Sequence, residues 1–297
     1  DSKQVKKKNL FIAIKGKNHD GHNYVKEALK NRANFCVVRK KIKNINKNKL
    51  IKCSNTINFL NQLAVKKREF SKAKIIAVTG SSGKTTLKTL LGNLLNNYAK
   101  TYFSKKSYNN HFGVPLSLCN LESDHQYGIF EIGMNKPGEI QKLSNLVKPD
   151  IGVITNIGEA HIENFHNLND VAKAKSEIIE NINKNGFLIL NKDDKYFNFL
   201  SKVAKKRKIK VLSFGMSKKS DATLIKKESS NNYNLIHLKV LNKNILLKIK
   251  NLNPLTIMNI LSTALVFSIL NLDLTKIKNL TNTFQSIEGR GKAHTVL

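Results

Sequence analysis

A lysine and two threonines, Lys84-Thr85-Thr86, stand directly after the glycine-bounded turn Gly80-Ser81-Ser82-Gly83. Those residue types at that spacing suit the holding of a nucleoside triphosphate with magnesium. Glycines let the backbone wrap a phosphate, amides at a helix N-terminus point at it, and Lys84 supplies a point charge. The Thr85 hydroxyl is placed to hold Mg²⁺. The usual loop of this kind has four residues between its glycines, whereas only Ser81 and Ser82 lie between these two. The bland alternative is a strand-to-helix turn with a solvated lysine. A short β-branched run, Ile75 to Val78, precedes the turn, and Leu87, Leu90, Leu91, Leu94 and Leu95 follow at helical spacing. Apolar strand, loop and amphipathic helix in register favour the phosphate loop.

Three further residues could join that chemistry. Glu131 ends the apolar run Tyr127-Gly-Ile-Phe-Glu131 and precedes a glycine-containing turn. In an open parallel sheet, ligands bind beyond the carboxyl ends of strands, so this carboxylate either reaches a metal or caps the next helix. His161 lies just past the next apolar run, Ile151-Gly-Val-Ile-Thr155, and is either a metal ligand or a polar surface residue. Oxygen ligands suit Mg²⁺ better than imidazole does. Lys175 shares one helical face with Val171, Ile178 and Ile182. It is either a lysine that snorkels to the rim or a buried amine with a lowered pKa. Such an amine can add CO₂, and the resulting carbamate is an anionic metal ligand.

These residues need a scaffold, and the chain is long enough to supply one. Its 297 residues, 40% of them hydrophobic, can bury a core and form more than one domain. From Ile75 onward, strands and helices alternate: 75–78, 85–96, 127–132, 139–147, 151–155, 170–182, 187–190 and 210–214. That order implies a mainly parallel sheet covered by helices. Residues 235–240 and 244–249 alternate as two antiparallel strands with a turn at Asn242–Lys243. Helices follow over 255–270 and near 274–284. Upstream, 9–14 and 35–38 read as strands, and 22–30 and 55–66 as helices. Residues 69–74 read as a linker, with a boundary near residue 72.

The net charge of +32 comes from lysine, since the arginines are only Arg32, Arg39, Arg68, Arg207 and Arg290. Lysines spread evenly among asparagines fit a genome biased towards A and T, whereas a nucleic-acid reader clusters arginines and aromatics. No nucleic-acid partner is expected. Cys36, Cys53 and Cys119 share no metal or redox spacing, as expected of free thiols in a reducing compartment. The longest apolar run, 260–270, is too short to cross a membrane.

Together the motifs resemble the Mur ligases, ATP-dependent amide-bond formers of peptidoglycan synthesis. The resemblance rests on Thr79-Gly-Ser-Ser-Gly-Lys-Thr-Thr86, Asn109-Asn-His-Phe-Gly-Val-Pro115, Glu131-Ile-Gly-Met-Asn135 with Pro137-Gly-Glu-Ile140, Thr155-Asn-Ile-Gly-Glu-Ala-His161 and Ala174-Lys-Ser-Glu177, in the family's order. The Glu-x-Gly-Met-Asn wording is similar to the members that add D-alanyl-D-alanine to the UDP-N-acetylmuramoyl-tripeptide through an acyl phosphate. The start, Asp1-Ser-Lys-Gln-Val5 with Leu10 to Gly16 and Asp20-Gly-His22, resembles the family's UDP-sugar-binding domain.

The resemblance implies an α/β fold: a small N-terminal α/β domain (1–71), whose start is missing, then a P-loop-type central domain (72–288) with a mainly parallel sheet flanked by helices. Residues 289–297 would begin a third domain that is absent, so these residues alone are expected to be inactive. Within ATP binding it implies roles for Gly80, Ser81, Ser82, Gly83, Lys84, Thr85 and Thr86, for Asn259 near adenine and for Arg290 near the phosphates. Leu255 and Thr256 depart from the His-Asn pair that the family carries there. Thr85, Glu131, His161 and a carbamylated Lys175 would hold two Mg²⁺ ions, with Lys84, Lys175 and His161 catalytic. Ser2, Asn109 and Asn110 would bind substrate. A cytoplasmic monomer without membrane insertion is expected. The alternatives are a third-residue-adding ligase, a folylpolyglutamate synthetase, or a non-catalytic nucleotide-binding fragment.

Overall fold

The computed structural model describes residues 1–16, 18–230, 233–250, 252–275 and 277. The chain divides into two compact units, the first ending at Glu69 and the second starting at Phe70.

The first unit contains three parallel strands in spatial order β1 (Leu10–Ile12), β2 (Phe35–Val38) and β3 (Leu50–Lys52). Parallel neighbours need crossovers, and helix α1 (Val25–Lys30) supplies the first. The core of this unit joins Phe11, Ala13, Val25, Ala28, Cys36 and Val38. Burial pushes the Cys36 thiol up to about 11, so it stays a neutral apolar filler. Helix α2 (Thr56–Phe70) closes the unit.

The second unit is built on a nine-stranded sheet. In chain order its strands are β4 (Lys74–Thr79), β5 (Thr101–Phe103), β6 (Tyr127–Glu131), β7 (Ile151–Ile154), β8 (Phe187–Asn191), β9 (Lys210–Gly215), β10 (Ala222–Ser229), β11 (Asn234–Val240) and β12 (Lys243–Ile249). In space they run β12-β11-β10-β9-β8-β7-β4-β6-β5. All neighbours pair in parallel except β10–β11 and β11–β12, which are antiparallel. The first strand of the unit, β4, therefore lies between β6 and β7. The chain moves to one side of it and later to the other, and that reversal opens a crevice at the carboxyl end of β4.

Helix α3 (Lys84–Leu95) leaves that crevice, and α4 (Gly113–Cys119), α5 (Glu139–Val147), α6 (Leu168–Ser176) and α7 (Phe197–Lys206) fill the later crossovers. Helix α8 (Pro254–Ile269) packs against α3 and the β8–β11 part of the sheet. Its apolar run is core: Ile260, Leu261, Ala264, Leu265, Val266 and Phe267 are all buried. Among the described residues no helix is long and apolar enough to cross a membrane.

The architecture is the α/β arrangement expected, with several local corrections. Helix α2 runs to Phe70, so the 69–74 linker shrinks to the three residues between α2 and β4. The expected helix over 170–182 is α6 followed by a 3-10 stretch, Glu177–Asn181. Strands β3, β5 and β10 and helices α4 and α7 were not expected. The hairpin turn is Leu241–Asn242, one residue earlier than read, because Val240 pairs with Lys243 and Leu241 takes a positive φ of 53°. The expected helix over 274–284 lies largely outside the described residues.

Candidate nucleotide and metal site

The glycine-bounded turn joins β4 to α3 at the crevice. Gly83 has φ +79° and sits just before α3, and Gly80 has φ +141°. A Cβ on Gly80 would collide with the Thr155 hydroxyl and stand 3.0 Å from the Thr155 nitrogen. Glycine is required there both for the dihedral and for the space.

Neighbouring strand β7 braces the first half of the turn. The Ser81 N–H donates to the Asn156 carbonyl (3.0 Å), and the Ser82 N–H donates to Asn156 Oδ1 (2.9 Å). The Thr155 hydroxyl donates to the Ser82 carbonyl at 2.6 Å, and the Gly158 N–H donates to Ser81 Oγ at 2.8 Å. Asp194, just past β8, accepts the Ile157 N–H at 2.7 Å and so steadies the bracing segment itself. Thr155, Asn156 and Asp194 were missed as site-building residues. The signal for the first two was their place directly after an apolar strand adjacent to the loop strand.

These bonds leave the second half of the turn, where α3 begins, as the anion-facing part. Lys84 Nζ curls back to the Gly80 carbonyl at 2.7 Å. The Asn259 side-chain oxygen, from α8, lies 3.4 Å from a Cβ built on Gly83. The expected adenine residue therefore borders the phosphate turn. Thr256 is committed to capping α8, its N–H donating to Asn253 Oδ1 at 2.8 Å, and Leu255 is exposed.

Glu131 is 2% exposed at the end of β6. Asn109 Nδ2 donates to its Oε1 at 2.8 Å. Its Oε2 is buried without a hydrogen-bond partner among the described residues. A buried carboxylate oxygen left open is the feature expected of a cation ligand. Thr85 is buried near the start of α3, with its Oγ1 3.2 Å from Ser107 Oγ. This oxygen-rich set, on the end of β6 and the start of α3, fits Mg²⁺.

Lys88, one helical turn beyond Thr85, is fully buried and was missed by sequence reasoning. Its Nζ donates to the Lys106 carbonyl at 2.9 Å and stands 3.7 Å from Glu131 Oε2. Burial pushes its pKa down, and the Glu131 charge opposes that shift.

Lys175 is 2% exposed, on the face it shares with buried Val171, Ile178 and Ile182. Burial, with a smaller contribution from the nearby Lys84 charge, pushes it down to about 7. The buried alternative left open by the periodicity is therefore the one observed. The amine is substantially neutral near pH 7, as CO₂ addition requires.

Other expected site residues are placed less directly. His161 is exposed in the loop after β7, in a left-handed conformation (φ 66°), with Nδ1 3.9 Å from Glu163 Oε1. Asn110 caps α4 by accepting the Gly113 N–H at 2.9 Å, whereas Asn109 orients Glu131. In the first unit, the Ser2 hydroxyl donates to Glu27 Oε2 at 2.8 Å. Nearby in sequence to its sheet ends, buried His22 accepts the Arg39 N–H on Nε2 (2.9 Å), so its Nδ1 carries the proton given to Asp20. The His22 backbone N–H, which donates to Asp20 Oδ1 at 2.9 Å, with the His22 ring and the Lys40 ammonium, holds the Asp20 carboxyl well below the usual range. Arg290 lies outside the described residues.

Residues 78–267 match the family described as "Mur ligase middle domain". The chain is 42% identical over 226 residues to the UDP-N-acetylmuramoyl-tripeptide--D-alanyl-D-alanine ligase of Rickettsia prowazekii, covering 76% of this chain and 50% of that protein. It spans about half the length of the curated relatives it matches. Its fold is similar to the crystal structure of MurF from Acinetobacter baumannii, with TM-score 0.85, 29% identity and coverage of 98% of this chain and 63% of that one. It is also similar to the MurF ligase of Thermotoga maritima in complex with ADP, with TM-score 0.80, 28% identity and coverage of 94% and 65%.

Proposed function

Since this chain belongs to the Mur ligase family, we propose that it is the substrate-docking and ATP-binding part of a ligase that joins D-alanyl-D-alanine to UDP-N-acetylmuramoyl-tripeptide. The observation that carries this reading is the open, buried Oε2 of Glu131 beside the phosphate turn. The names borne by its relatives support the substrate assignment.

In this reading the reaction has two stages. The tripeptide carboxylate attacks the γ-phosphorus of ATP, giving an acyl phosphate and ADP. The free amine of D-alanyl-D-alanine then attacks the acyl carbon, and phosphate leaves. Carboxylate and triphosphate repel each other, so their approach needs fixed positive charge. Lys84 uncurls from Gly80 to meet the β- and γ-phosphates, while the first N–H groups of α3 face the anion. Asn259 borders the nucleotide. Thr85 and Glu131 would hold one Mg²⁺, and His161 with carbamylated Lys175 a second; bound there, magnesium would offset the phosphate charge. Asn109 keeps Glu131 aimed, and Ser2 and Asn110 belong to segments that dock the UDP-linked substrate. The reaction belongs in the cytoplasm, and the acting form is a monomer.

The test uses the complete protein. Lys84→Ala should abolish acyl-phosphate formation, read as ADP release, while UDP-substrate binding persists; undiminished ADP release would remove the phosphate-loop assignment. Product analysis with D-alanyl-D-alanine against single amino acids separates this ligase from the third-residue enzyme and from folylpolyglutamate synthetase.

A further inference from the structure

Lys88 is a fully buried lysine that the reaction as described does not use. Burying its charged form is costly unless partners compensate it. Its hydrogen-bond partners are neutral: the Lys106 carbonyl at 2.9 Å and Ser104 Oγ at 3.4 Å. The anion beside it is Glu131, and there the distance is 3.7 Å, beyond a hydrogen bond. Charge-assisted pairs that serve stability usually close to about 2.8 Å. This one stays open, although both side chains are shielded from water.

The surrounding bonds explain the gap. Asn109 Nδ2 holds Glu131 Oε1 at 2.8 Å and so fixes the plane of the carboxylate. The Lys106 carbonyl holds the ammonium from the other side, and it also accepts the Ser104 hydroxyl at 2.8 Å. Oε2 is thereby left with a cation nearby and no proton donor in contact. Thr85, which would supply a metal ligand, stands three residues earlier on the same helix, so Lys88 is a fixed positive charge beside the metal position.

We infer that Lys88 is a positioning residue, the resident counter-cation of Glu131, which keeps that carboxylate compensated while no metal is present and thereby makes the metal arrive together with the nucleotide. This rests on the assignment of Glu131 as a metal ligand. A bare divalent cation must approach Glu131 against the Lys88 charge, and in a site shielded from water that repulsion is large. A cation already bound to triphosphate brings compensating negative charge with it. Without Lys88, Glu131 would be an uncompensated buried anion, and free metal would bind it more tightly.

The complete protein can be titrated with Mn²⁺ alone, followed by the loss of the free-ion electron paramagnetic resonance signal. Lys88→Gln, which keeps a donor for the Lys106 carbonyl, should bind Mn²⁺ about tenfold more tightly than the wild type, following the Coulomb argument. Lys88→Arg should stay near the wild type because the charge is kept. A Lys88→Gln affinity equal to or weaker than that of the wild type overturns the inference. Glu131→Gln is the control for its premise: if it loses Mn²⁺ binding, the metal assignment stands whatever Lys88 does, and if it does not, assignment and inference fall together. For a variant too unstable to titrate, urea midpoints decide. Mn²⁺ must raise the Lys88→Gln midpoint more than the wild-type midpoint, and an equal rise refutes the idea.

Discussion

Replacing Lys175 by methionine keeps length and apolar contact while removing an ionisable group that the fold holds out of water. The folded pKa is about 7 against an ordinary 10.5, with burial the larger cause and Lys84 the smaller. Below pH 7 both folded and unfolded chains carry the proton, so the folded state bears the whole burial penalty. Between pH 7 and 10.5 the unfolded chain binds more protons than the folded one, and stability rises with pH. Above 10.5 both forms are neutral and the penalty is gone. At about 1.4 kcal/mol per pKa unit, the penalty is roughly 5 kcal/mol below pH 6, about 4 kcal/mol at pH 7, and near zero above pH 10.5. Lys175→Met should therefore stabilise the chain most at neutral and acidic pH, with a gain that fades towards pH 10.5. Urea unfolding of both proteins from pH 6 to 10 in CO₂-free buffer measures this. Excluding CO₂ matters, because a carbamate would remove the positive charge. A gain independent of pH, or a loss at pH 7, would refute the picture of a desolvated amine.

Two further outcomes follow from the same geometry. Gly80→Ala should weaken ADP binding by at least about a hundredfold, since its Cβ collides with the Thr155 hydroxyl and a positive φ adds roughly 1–3 kcal/mol of strain; isothermal titration reads this, and retained affinity would remove the brace as the determinant of loop shape. Asn253→Ala removes the side-chain cap of α8 and should cost about 1 kcal/mol of unfolding free energy, measured by urea unfolding, whereas Asn253→Ser should recover most of it.

The loop and the helix face were legible because their information is local. Gly-x-x-Gly-Lys-Thr between an apolar run and an amphipathic helix is a local pattern, so spacing reveals the turn, although its shape is braced by residues 155–158. Lys175 could be placed with Val171, Ile178 and Ile182 because helical geometry assigns a face from position alone. Strand β5 escaped because three residues are too few for a periodic signal. Strand β10 escaped because its exposed lysines resemble a loop until β9 and β11 pair with it.

Lys88 escaped for a different reason. It lies on α3 among leucines buried on nearly every side, where the pattern offers no reason to separate one lysine from the rest of a very basic chain. Its meaning depends on Glu131 and Lys106, and only folding brings those groups to it. The same holds for Asn156, whose partners Ser81 and Ser82 lie 75 and 74 residues away.

Sequence alone indicated the turn at the crevice and the class of fold that carries it, since glycine spacing, strand–helix alternation and side-chain type are properties of short segments. Tertiary structure alone decided which carboxylate oxygen remains open, which lysine stands beside it and which strand braces the turn. Those outcomes depend on distances between distant segments and on the exclusion of water around them, and neither exists until the sheet has closed.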